Sequence, residues 1–211
     1  MTRPTRRQHL IQTAATLFAR HGYHATGVDA ILATAGVSKK TLYSHFRSKE
    51  ELILAALRDY DGRFRNDFMR QVERAAGPPG DRLLAVFDVA ELWFCGEHFY
   101  GCMFINAIAE YSQRQSAIRS ACQEFKRLLR EYMQELAEQA GAAHPAELAD
   151  ALALLLEGAT VTAQLSAQPG AARTARRVAA LLIAQATAAG PPAPVSGAAS
   201  AGLRSASLRT G

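Results

Sequence analysis

The chain has 211 residues, 49% of them apolar and dominated by Ala and Leu, which favours an all-helical globular protein with a small module and one larger core. Its three cysteines, an odd number, argue against a disulfide framework. No apolar run reaches the roughly 18 residues of a membrane span, and the basic start leads into an amphipathic helix rather than an export signal, so a cytoplasmic protein is expected.

The net charge of +5 is unevenly placed. Residues 1–50 hold eight Arg or Lys against Asp29 and Glu50, a net of +6, which leaves −1 for the other 161 residues. Positive charge gathered on one end suits phosphate binding, and from charge alone equally a solvated basic surface.

In chain order, Leu10, Ile11, Ala14, Leu17 and Phe18 form a first helical stripe that ends at Gly22. Val28, Ile31, Leu32 and Ala35 give a second, short amphipathic helix. Gly36 stands where a helix end needs positive φ. Ser38 then caps a third helix, with Val37 and Leu42 as its hydrophobic staple. Leu42 and Phe46 point inward, whereas Lys39, Lys40, Tyr43 and Ser44 share an outer arc roughly 140° wide. Ser48-Lys-Glu-Glu51 is a capping box that opens a fourth helix. The first three helices read as a helix-turn-helix module whose third member is presented to something anionic.

The runs Leu17-Phe-Ala-Arg-His-Gly-Tyr23, Thr26-Gly-Val-Asp-Ala-Ile31 and Ala35-Gly-Val-Ser-Lys-Lys-Thr-Leu-Tyr-Ser-His-Phe-Arg-Ser-Lys-Glu-Glu-Leu52 resemble the TetR family of bacterial transcriptional regulators. The likeness covers roughly the first quarter of the chain. It implies that the third helix, Ser38–Phe46, enters the major groove of double-stranded DNA. Lys39 and Lys40 would face base edges or phosphates, with Thr41 and Ser44 beside them. Tyr43 and His45 resemble the family's phosphate-contacting pair, although a Tyr43 ring also suits packing on Leu10 or Phe18, and Lys49 resembles its cation at the start of the fourth helix. Thr26 would offer a hydroxyl to a phosphate at the second helix's N-terminus, where Gly27 replaces the usual hydroxyl residue. Arg3, Arg6 and Arg7 would extend as an arm along the backbone or into the minor groove, with a loosely bound tail the alternative expected for Arg3.

Beyond Ser48 the long fourth helix carries Ile53, Leu57, Tyr60, Phe64, Phe68 and Val72 and stops at Gly77-Pro-Pro-Gly80. A fifth helix holds Leu83, Leu84, Phe87, Leu92, Trp93 and Phe94. Residues 96–101 form a loop, Met103–Tyr111 a sixth helix, and Ile118–Ala140 a seventh. An eighth runs from Pro145 to about Ala167, and a ninth covers about Ala172–Ala188. Residues 190–211, rich in Pro, Ala, Ser and Gly, read as a disordered tail. The expected domains are therefore 1–50, 51–189 and the tail.

The stretch Phe94–Tyr111 concentrates aromatics with polar Asn106 and Glu110, which suits either a small-molecule pocket or ordinary core packing. The resemblance implies an effector pocket, lined here by Phe64, Phe68, Phe87, Trp93, Phe99, Met103, Phe104, Asn106, Glu110 and Gln164, and a homodimer through the last two helices (about 145–188). An apolar or aromatic effector and release from a palindromic operator follow, with a repressor the expected sign. A thiol-responsive regulator using Cys102 or Cys95 is the alternative reading. Cys95, His98 and Cys102 match no standard zinc spacing, so no metal or cofactor is expected. Neither a nucleophile elbow nor a phosphate loop supports an enzyme built on Cys102 or Cys95, His98 and Glu110.

Overall fold

The computed structural model describes residues 5–75, 77–113, 115–166 and 170–188. Among these residues the regular secondary structure is all helix: α1 (Arg6–His21), α2 (Val28–Ala35), α3 (Lys39–His45), α4 (Lys49–Glu73), α5 (Pro79–Phe94), α6 (Met103–Glu110), α7 (Ala117–Gln139), α8 (Pro145–Ser166) and α9 (Gly170–Ala188). The expected tail and Arg3 lie outside the described residues.

Local chemistry explains the boundaries of the first four helices. Thr5 caps α1 by accepting from the Gln8 N–H at 3.2 Å. Gly36 ends α2 in the left-handed region, φ 64° and ψ 35°, where a side chain would be strained. Ser38 caps α3, its hydroxyl accepting from the Thr41 N–H at 3.2 Å. Ser48 caps α4 by accepting from the Glu51 N–H at 3.2 Å. Glu51 reaches back in return, but to the Arg47 N–H at 2.7 Å, one residue earlier than the usual box. Each cap contributes about 1 kcal/mol.

The first three helices enclose Leu10, Ile11, Phe18, Ile31, Leu42 and Phe46, all buried. α4 closes this core. Its early residues Leu52, Ile53, Ala56 and Leu57 are buried, it packs on α1, and Gln8 Nε2 donates to Asp59 Oδ1 at 2.6 Å. Further along, α4 packs on α5 and α7. One rigid element therefore belongs to both halves, and residue 50 falls within its first turn.

The larger half is a helical stack in which α5 packs on α7, α8 and α9, α7 on α8, and α8 on α9. By length and composition alone α8 is apolar enough to cross a membrane, although it contains no unbroken apolar run of that length. Its most apolar 18-residue stretch still carries Asp150 and Glu157. Here α8 buries Leu148, Leu152 and Leu156, and Glu157 pairs with Lys126 of α7 at 3.0 Å.

Arg6 and Arg7, expected as part of an extended arm, lie in the first turn of α1. The Arg7 guanidinium sits 5.1 Å from the Phe46 ring centroid, a cation–π contact that ties α1 to the end of α3.

Candidate nucleic-acid interface and the clefts behind it

The short α3 buries Leu42 and leaves Lys39, Lys40, Tyr43, Ser44 and His45 exposed on its outer face. Tyr43 is 46% exposed, so its ring is held at the surface rather than packed on Leu10 or Phe18. Thr41 is half-buried, its hydroxyl 3.0 Å from that of Ser38. Ser44 donates to the Thr41 carbonyl at 2.8 Å. Lys39, Lys40, Tyr43 and His45 are thus the side chains most open to an incoming phosphate or base edge. Ser38 spends its hydroxyl on the cap. Lys49 lies where the same surface meets the α1–α2 turn and donates to the His24 carbonyl at 3.3 Å.

Thr26 corrects the sequence reading. It is only 3% exposed, and its hydroxyl donates to the Gly22 carbonyl at 2.6 Å. The group satisfies an orphan acceptor at the end of α1 and is not offered to a phosphate. Gly27 caps α2 without a side-chain bond, as expected.

Glu110, assigned to the pocket from sequence, also holds the α1–α2 turn. One carboxylate oxygen accepts from the Tyr23 N–H at 2.8 Å and the other from the His24 N–H at 2.6 Å. The His24 imidazole stacks on Tyr111, centroids 4.8 Å apart, and its Nε2 lies 3.0 Å from the Glu110 carbonyl. At the other end of α6, the buried Tyr23 hydroxyl donates to the Met103 carbonyl at 2.9 Å. Burial raises the Tyr23 phenol far above its ordinary pKa, so it stays a donor. Gly22, at φ 85°, permits the close approach, because a Cβ there would stand 3.0 Å from Glu110 Oε1. The α1–α2 turn is clamped to both ends of α6. Sequence reasoning missed Tyr23, His24 and Tyr111 in this role, since no local pattern announces partners 80 or more residues apart.

The expected pocket residues divide among several surroundings. Phe64, Phe68 and Trp93 line a cleft of about 630 Å3 between α4 and α5, with Tyr60, Val89 and Leu92. Phe99, Asn106, Glu110 and Gln164 line a second, of about 530 Å3, between the end of α1, α6 and α8. There Asn106 Nδ2 donates to the Tyr100 carbonyl at 3.1 Å, and Gln164 Nε2 donates to Asn106 Oδ1 at 3.3 Å. Phe87, Met103 and Phe104 line neither cleft and are core residues: Phe104 stacks on Phe125 with centroids 3.8 Å apart. For these three the packing alternative holds. Phe64 and Trp93 meet edge to face at 4.8 Å, and Trp93 meets Phe99 likewise at 5.1 Å, so aromatic contacts link the two clefts.

The cysteines do not converge on a metal site, and the described residues hold no group of three or more potential ligands. Cys95 is exposed; Cys102 and Cys122 are buried. Desolvation pushes the Cys122 thiol up to about 11, with Cys102 adding to the shift.

Comparison with known proteins bears on the family and the fold. Residues 10–56 match the family described as bacterial regulatory proteins, tetR family, and residues 79–179 match the tetracyclin repressor-like C-terminal domain. The transcriptional activator FasR of Mycolicibacterium smegmatis is 51% identical over 57 residues, 27% of this chain and 26% of that protein. The transcriptional repressor NemR of Escherichia coli is 30% identical over 117 residues, 54% of this chain and 58% of that protein. The chain thus spans about a quarter to three fifths of the length of these curated relatives. A TetR-family regulator from Streptomyces coelicolor superposes with a TM-score of 0.78 at 27% identity, over 86% of this chain and 96% of that one. With a helix-turn-helix module matched at one end, the larger helical domain matched at the other and the whole fold superposing, the chain belongs to the TetR family of bacterial transcriptional regulators.

Proposed function

We propose that this TetR-family regulator works as a homodimer on a palindromic operator, as a repressor that a small apolar or aromatic effector releases. The observation that carries the DNA reading is the exposed Lys39–Lys40–Tyr43 face of α3, held rigid by the Ser38 cap and the buried Leu42. Base-edge contacts from Lys39 or Lys40 supply specificity, and Tyr43, His45 and Lys49 fix register on the backbone. Such a protein works in the bacterial cytoplasm, where the DNA is.

The dimer reading rests on α8 and α9. Leu165 is 83% exposed, and Leu154, Val161, Val178 and Leu181 also stand in the open on these two helices. Between them runs a groove floored by Gly158, Ala159, Ala171 and Ala175, small residues that allow close helix approach. An apolar face of this extent is an interaction site, and the same pair of helices from a second copy covers it by twofold symmetry.

The effector reading rests on the α4–α5 cleft, whose aromatic floor and volume suit a small ligand. α4 runs from Lys49 at the cationic surface to this cleft, so a ligand that changes how α4 sits on α5 also moves the reading head. The Glu110 clamp holds α6 to the same head. Coupling of about 1–3 kcal/mol between the two sites is enough for regulation. The repressor sign rests on NemR, although the activator FasR matches too. The thiol alternative falls to the exposed Cys95, because Cys102 is enclosed.

Selection of bound duplexes from a pool of genomic fragments tests the reading. An inverted repeat with half-sites about one helical turn apart is expected. Recovery of no enriched motif, or of a single half-site bound by one protomer, would overturn it.

A further inference from the structure

The α4–α5 cleft has a polar edge that its aromatic floor does not explain. Arg63, Asn66, Asp67 and Arg70 follow one another along its α4 side. Residues seven apart lie two turns along a helix, so the two arginines stand about 10.5 Å apart on one side of α4. Arg63 gives Nε and Nη2 to Asp59 at 2.9 and 2.6 Å, which leaves Nη1 unspent among the described residues. Arg70 has Asp67 as its carboxylate partner among the described residues, at 3.9 Å and with side chains 60% and 69% exposed. A pair that long and that exposed is worth little. Across the cleft, Leu92 of α5 is 66% exposed, a large apolar side chain left uncovered beside Trp93.

We propose that this cleft takes a small amphiphilic carboxylate. This rests on the reading of the α4–α5 cleft as the effector site. The apolar body lies over Phe64, Trp93 and Leu92, and the carboxylate is held by Arg70, with the Asn66 amide beside it. Arg70 exchanges a long contact with Asp67 for a two-pronged pairing with the ligand, the geometry for which a guanidinium is suited. A cationic ligand is disfavoured, since Asp67 lies between two arginines and the newcomer would have to displace Arg70. A bound carboxylate spans α4 and α5, so its occupancy bears directly on the position of α4.

Trp93 is the chain's single tryptophan, and its place in the cleft makes intrinsic fluorescence a reporter of occupancy. The full-length protein is titrated at fixed ionic strength with phenylbutyrate, phenylbutyramide and phenylbutylamine, up to about 10 mM, a range that captures millimolar affinities. These probes share one ring and chain and differ in the head group. The carboxylate should bind on the order of tenfold more tightly than the amide, the difference one charge-assisted hydrogen-bond pair supplies, with the amine weakest. Arg70→Gln should erase the preference for the carboxylate while the amide binds as before. Equal affinities for all three, or a carboxylate preference that survives Arg70→Gln, overturn the anion proposal and leave the cleft standing as a site. Tightest binding by the amine replaces it with a cation held by Asp67. No fluorescence response to any probe removes the α4–α5 cleft as the effector site, and the proposal with it.

Discussion

Replacing Glu110 with Ala removes the acceptor for two backbone N–H groups, those of Tyr23 at 2.8 Å and His24 at 2.6 Å. A hydrogen bond to a charged acceptor contributes about 1.5–3 kcal/mol when desolvated. Here one donor is partly buried and the other is exposed, and water re-solvates the exposed N–H once the carboxylate is gone. The pair is therefore worth about 1.5–3 kcal/mol together, at or below the lower bound for each bond. The His24–Tyr111 stack and the Tyr23–Met103 bond stay in place and keep the turn docked. For a chain of this size each kcal/mol lowers Tm by about 2–4 °C, so a fall of roughly 3–12 °C is expected. Urea unfolding, followed by Trp93 fluorescence and circular dichroism at one protomer concentration, reads the change. A dimer's stability depends on concentration, which must be held fixed. The midpoint should fall with the slope unchanged. Glu110→Gln should lose less, because the amide oxygen retains one of the two acceptors. The clamp also links α6 to the reading head, so Glu110→Ala should weaken the effect of any ligand on DNA affinity more than it weakens DNA binding itself. A Glu110→Ala protein within about 0.3 kcal/mol of the parent, roughly the precision at which independent sites add, and with full ligand response would refute this reasoning.

Further predictions follow from single observations. Thr26→Val should destabilise the fold by about 1–3 kcal/mol, since the Gly22 carbonyl loses its buried donor, and should leave the salt dependence of DNA binding unchanged; a loss of one phosphate contact in that measurement would restore Thr26 to the interface. Ser48→Ala should cost about 1 kcal/mol through the lost α4 cap, read as a shifted denaturant midpoint. In thiol titration at pH 8, Cys95 should react promptly, while Cys102 and Cys122 should wait for denaturant: both are buried, and a Cys122 thiol pushed up to about 11 is almost wholly protonated there. Prompt reaction of Cys102 in the native protein would move the thiol-responsive reading from Cys95 to Cys102. Leu165→Glu places a charge on the exposed α8 face and should shift the protein to monomer by sedimentation or light scattering, whereas an unchanged dimer would put the interface elsewhere.

How much could be read from the chain follows the range of the interactions. Helix ends were legible because capping is local: Ser38, Ser48 and Gly36 act on residues no more than four positions away, and all three sit where their residue types place them. The outward face of α3 was legible for the same reason, since period and burial are both carried by seven residues. Thr26 was misread because its partner is a carbonyl of the preceding helix end, which competes with a phosphate for one hydroxyl. The clamp role of Glu110, which also lines the second cleft, was not legible because its partners lie in another part of the chain. The aromatic stretch was only half legible. An aromatic wall and an aromatic core have the same sequence, and only the packing of Phe104 on Phe125, against the cleft position of Phe99, separates them. Asn106 and Gln164 share a cleft through contacts 58 residues apart in sequence, which no periodicity reports.

The central claim is that the exposed lysines of α3 carry DNA recognition. Fluorescence anisotropy of the purified protein with a duplex from the DNA flanking its own gene, titrated across salt concentration, tests it most directly. Each phosphate neutralised steepens the log–log slope by about 0.9. Binding should exceed that to a scrambled duplex, and Lys39→Ala with Lys40→Ala should either remove that preference or flatten the slope by about 0.9 per lost phosphate contact. Operator affinity, preference and slope all unchanged in the double variant would contradict the account.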